Sequence, residues 1–173
     1  MSDYDLKPIT KQAVPRAIER AERYRLLNEP RQAESICRDV LHVDRDNHEA
    51  LVTMLLALTD QFDKGAHVSI EHAKEVLPRF ADPYERSYYE GIIYERWAKA
   101  QLAAGAFGHA VYEWFEHAMQ CYAKAQELSP AGNDDAILRW NTIVRILRRH
   151  SELRPRPPEH AASMDFGDSA PLP

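Results

Sequence analysis

A chain of 173 residues with 45% hydrophobic content has enough apolar material for one core, and that length suits a single domain. Only six glycines and almost no β-branched runs favour helices over sheet, while a net charge of −5 argues against a general nucleic-acid binder. Cys37 and Cys121 stand far apart with no metal-type spacing, so neither a disulfide framework nor a zinc knuckle is indicated.

The first residues, Met1-Ser2-Asp3-Tyr4-Asp5, are acidic and lack the apolar core of a secretory signal. Residues 1–11 are expected to form a flexible arm. Thr10 and Pro15 place a first helix at about 12–28, with Ala17, Ala21, Tyr24 and Leu27 on its inner face. Pro30 opens a second helix to Val43, with Ala33, Ile36, Cys37, Val40 and Leu41 inward. Asn47 caps a third helix from His48 to about Asp60. Its apolar run from Ala50 to Leu58 contains Thr53 and is too short to cross a bilayer, so the chain is expected to be cytoplasmic. A fourth, irregular helix at about 66–77 carries Ile70, Ala73, Val76 and Leu77 and stops at Pro78.

Asp82 and Pro83 then open a long helical hairpin, broken at Gly105-Ala106-Phe107-Gly108 and continuing from His109 to Leu128. Ten of the sixteen aromatics fall between Tyr84 and Tyr122. Asn133-Asp134-Asp135 caps a seventh helix to about Arg149, with Ile137, Trp140, Ile143, Val144 and Leu147 inward. Arg154-Pro155-Arg156-Pro157-Pro158 cannot continue a helix. Residues 151–173 are therefore expected to be a disordered Pro-rich tail, with Met164-Asp165-Phe166 as its one sticky spot.

The order Ala21, Tyr24, Ala33 and a turn ending at Asn47 resembles the tetratricopeptide repeat, a thirty-four-residue helix-turn-helix. The best match is Gly91 and Tyr94 followed by Ala118, Tyr122, Ala125 and Ser129-Pro130. Gly91 and Ala118 are twenty-seven residues apart where Ala21 and Ala33 are twelve apart; two extra turns per helix, about 7 residues each, account for the excess. The second unit departs from the pattern, with Leu55 and Leu58 at the key positions and Arg45 where a proline is usual. The resemblance implies an all-α right-handed solenoid of three hairpins at about 14–47, 48–82 and 83–130, with an elongated third hairpin and a capping helix at 133–150.

It also implies a non-enzymatic adaptor, scaffold or assembly factor whose concave groove takes an apolar or amphipathic partner segment. The matching groove residues are Ile18, Glu22 and Arg25; Val52, Leu56 and Thr59; Tyr88, Tyr89, Ile92 and Glu95; and Ile137, Asn141 and Val144. Co-chaperones of the family grip a terminal carboxylate with Lys and Asn, but Ile18, Glu22 and Thr53 occupy the matching places here, so that clamp is not expected. Trp97, Phe107, Trp114 and Phe115 on the long hairpin suggest self-association into a homo-oligomer.

Two other chemistries compete. His109, Glu113 and His117 share one helix face and offer metal-ligand types, which would suit a helical-bundle enzyme, but the set spreads over about 12 Å. The cluster Arg145, Arg148, Arg149, Arg154 and Arg156 would suit a nucleoprotein subunit, although cations at a helix C-terminus ordinarily complement its dipole. No phosphate loop, nucleophile elbow or zinc-protease motif appears, so no catalytic residue, metal or cofactor is assigned.

Overall fold

The computed structural model describes residues 4–64, 68–106 and 108–154. Every regular element among them is helical: α1 (Val14–Leu26), α2 (Pro30–Val43), α3 (His48–Thr59), α4 (Ile70–Lys74), α5 (Pro83–Ala103), α6 (His109–Leu128) and α7 (Asp135–Arg149). None of them is long and apolar enough to cross a membrane. Phe107, Arg156 and the Met164–Phe166 spot lie outside the described residues.

The helix ends follow local chemistry. Asn47 accepts a hydrogen bond from the Ala50 amide at 2.9 Å, and Asp82 accepts one from Tyr84 at 2.9 Å, each satisfying an otherwise unpaired first-turn N–H. At α7 it is Asn133 that accepts, from Asp135 at 3.1 Å. Gly105 and Gly108 take φ of +82° and +92°, the left-handed backbone that lets α5 turn back into α6. The fourth helix is shorter than expected. Ser69 caps it, it ends at Lys74, and a 3-10 turn over Leu77–Arg79 follows; Pro78 lacks the amide that would bond back to the Lys74 carbonyl, so the α-helical ladder cannot run on through it.

The two arms of the long hairpin have 21 and 20 residues, against 12 to 14 in α1, α2 and α3. They run antiparallel, with Gly91 against Tyr122 and Tyr94 against His117 and Trp114. A continuous core joins α3, α5, α6 and α7 through Leu51, Leu55, Ile92, Ile93, Phe115 and Ile143. Smaller clusters of Val14, Ile18, Val40 and Ala50, and of Ala21, Ala33, Cys37 and Ala57, hold α1 and α2 onto α3.

Two expected faces are rotated. In α1 the buried side chains are Val14, Ile18 and Ala21, while Leu27 is 60% exposed. In α7 they are Ala136, Ile143 and Leu147, and Trp140 is partly exposed. At the C-terminal end Ser151–Leu153 forms a 3-10 turn whose Leu153 is fully buried among α6 and α7 residues. The packed region therefore runs past the expected boundary at 150. At the other end Ile9, expected in a free arm, packs against the Val14 cluster.

Candidate functional site

Among the groove residues expected from the repeat pattern, the structure brings Arg25 and Thr59 together at one cleft between the C-terminal ends of α1 and α3 and the second half of α5. The floor of this cleft is charged. Arg25 Nε donates to Asp60 Oδ2 at 2.8 Å, and Arg96 Nη1 donates to Asp60 Oδ1. Arg96 also donates to Thr59 Oγ1 at 2.9 Å and to the Leu56 carbonyl at 3.3 Å. The α3 C-terminus thus meets a guanidinium, which complements its dipole. Burial holds Arg96 below its ordinary value, while the Asp60 charge opposes that shift. Lys64 and Lys99 stand on the same rim, with Lys64 Nζ donating to the Asn28 carbonyl at 3.0 Å.

A second polar cluster lies behind the first. Glu95 is fully buried, and Tyr122 donates to its Oε2 at 2.6 Å. Lys99 donates to Oε1, and Arg139 Nη1 from α7 lies 3.5 Å from the same oxygen. A buried carboxylate needs such partners, since an unpaired charge in the interior is strongly disfavoured. Burial, followed by the Glu95 charge, pushes the Tyr122 hydroxyl far above the ordinary phenol range. Tyr122 can reach Glu95 because Gly91 clears the path: a Cβ there would sit 2.5 Å from the ring.

The chain matches no known family model, no curated protein and no solved structure.

Several expected contact residues are placed elsewhere. Ile18 and Ile92 are core side chains, 4% and 1% exposed, and Glu95 is wholly internal. They cannot meet a partner, because α1 rolls its Ile18 stripe onto its neighbours and α5 is enclosed by α3 and α6. Thr59 is buried under Arg96. Val52, Leu56, Tyr88 and Tyr89 are partly buried flanks of the core; Ile137 on α7 is half-buried, whereas Glu22 and Asn141 are exposed. Of the expected self-association residues, Phe115 is fully buried, Trp97 meets Phe62 edge-on at 5.2 Å, and Trp114 stacks on Tyr94 at 5.8 Å.

On the outer face of α6, His109 pairs with Glu113 at 3.1 Å, but His117 tilts against Tyr94 instead. Among the described residues no three His, Cys, Asp or Glu side chains converge as a metal site. Sequence reading missed Asp60, Arg96, Lys99 and Arg139. One signal was present: Arg25, Asp60 and Arg96 recur at spacings of 35 and 36 residues.

Both thiols are held in the neutral form. Burial pushes Cys37 and Cys121 up to about 12 from an ordinary 9.0. A raised acid contributes stability that is complete below its unfolded value and lost as pH rises through the folded one. The expected outcome is slow reaction with a disulfide reagent at pH 8 in native protein, prompt reaction of both thiols in denaturant, and falling stability between about pH 9 and 12. Prompt native labelling at pH 8 would show that both sites open.

Proposed function

We propose that the chain is a tetratricopeptide-type helical solenoid that works as a non-enzymatic protein-binding module, an adaptor or assembly factor. Its contact surface is the face shared by α1, α3 and α5. Support for the architecture comes from helix order, since each long helix packs on its successor while α1 touches α3 and α3 touches α5. The close approach at Gly91 and the wholly buried Ala21, Ala33, Ala118 and Ala125 serve the same end.

The observation that carries the functional reading is the open cleft floored by Arg25, Asp60 and Arg96 and rimmed by Lys64 and Lys99. Four cations against Asp60 and Asp63 leave it positive in a chain of net charge −5. An amphipathic partner segment bearing carboxylates fits that floor better than a purely apolar one. Such a partner gains from charge complementarity mainly in association rate and specificity.

The test is affinity capture from native lysate with the full chain, beside a variant carrying Arg25→Ala and Lys64→Glu. Loss of a defined partner at unchanged helicity is the expected result, with capture weakening as salt rises. Equal capture by both proteins would place the binding face elsewhere. Ile92→Ala is unsuitable for this purpose, because Ile92 belongs to the core and its loss reads out stability.

A further inference from the structure

A second groove lies away from that cleft, between α6 and α7. It is lined by Tyr112, Met119, Ala123, Trp140, Val144 and Leu147, encloses about 450 Å3, and is open to solvent with Trp140 37% exposed. A half-open tryptophan among aliphatic side chains is apolar surface that folding of the described helices leaves uncovered. Arg154 stands on the groove's edge, and the preceding Leu153 is fully buried, so the chain departs from a fixed point at the groove itself.

We propose that the chain's own segment Met164–Phe166 occupies this groove. Three observations select that occupant. The first is reach: Pro155 to Ser163 are nine residues, which span roughly 28 Å even as a proline-type extended helix at about 3.1 Å per residue. The groove wall on α6, from Tyr112 to Ala123, is about 17 Å long. The second is chemistry, since Met164 and Phe166 are the only large apolar residues before Leu172 in residues 155–173. Methionine and an aromatic ring suit a groove that already holds Met119 and Trp140.

The third is charge. Residues 155–173 carry Glu159, Asp165 and Asp168 against Arg156. Arg154 at the groove and the exposed Arg148 and Arg149 at the adjoining end of α7 are of opposite sign, with Glu116 as the one acid on the lining. Asp165 sits between the two apolar anchors, where it meets that basic end as the anchors enter. The tie is intramolecular, so a short linker raises the effective concentration of the segment at the groove into the millimolar range. The inference does not depend on what occupies the α1–α3–α5 cleft.

The test is methyl NMR of the full chain labelled at its four methionines. Expected are contacts from the Met164 methyl to Met119 and Trp140, and movement of the Met119 resonance on Phe166→Ala, a change forty-seven residues away in sequence. Val144→Glu should send Met164 to an unstructured shift while Met54 stays in place. A Met119 resonance unmoved by Phe166→Ala, with Met164 already unstructured, would overturn the proposal. So would contacts that appear only between differently labelled copies and grow with concentration, since the occupant would then be a second molecule.

Discussion

Replacing Glu95 with alanine should cost this protein about 3 kcal/mol of folding stability, a large share of the ~5–15 kcal/mol typical of a domain. The figure rests mainly on what is left behind. Tyr122 loses the acceptor for a buried hydroxyl, worth about 1–3 kcal/mol, and a void opens where Cγ and the carboxylate group were packed. Lys99 and Arg139 are 39% and 35% exposed, so they turn to water and add little. Urea denaturation should therefore rank Glu95→Ala above Tyr122→Phe, and both above Lys99→Ala, which should stay within about 1 kcal/mol. An equal loss for Lys99→Ala would mean that charge, rather than the hydroxyl, holds the cluster.

The same pair makes a pH prediction of definite sign. Tyr122 is held protonated by burial and by the neighbouring carboxylate. Its contribution is complete below the ordinary phenol value near 10 and falls as pH rises beyond it. Tyr122→Phe should be less stable at neutral pH yet show a shallower decline above pH 10.

Gly91→Ala is the second large effect, and its sign runs against intrinsic propensity. On an exposed helix this change would stabilise by up to about 1 kcal/mol. Here the new methyl would lie 2.5 Å from Tyr122 Cε1 and 2.8 Å from Cδ1, and the ring is tethered at its hydroxyl by Glu95. Overpacking of this kind costs about 1–3 kcal/mol, so net destabilisation is expected. Measured in a Tyr122→Ala background, the same substitution should become neutral or stabilising. Destabilisation of the same size in both backgrounds would mean that the ring is not what resists the methyl.

How much of this could be read from the residues varies with the range of the interaction. Helix starts at Asn47 and Asp82, the glycine-bearing break and the lengths of α5 and α6 are local matters of caps, left-handed turns and propensity, and they were legible. The inner face of α1 was not. Its apolar residues form two overlapping stripes, Val14-Ile18-Ala21 and Ala17-Ala21-Tyr24, and only the placement of α2 and α3 decides between them. Projecting the repeat pattern onto α5 misplaced Ile92 and Glu95, because a helix packed on several sides has no open stripe to offer. The charged floor depends on pairs 35 and 36 residues apart, whose meaning appears only once α1, α3 and α5 are side by side. Pro78 gave warning of the end of α4, but not of how early it would come.

The slender connection at α3 has a mechanical consequence. α1 and α2 meet the rest of the molecule chiefly through that one helix, whereas α5, α6 and α7 share a thick common core. The part of a fold with the fewest buried contacts opens first. The Arg25–Asp60–Arg96 bridge crosses that seam. It ties the first helix to the fifth through the end of the third, so cutting it at Asp60 is expected to loosen that lighter end first.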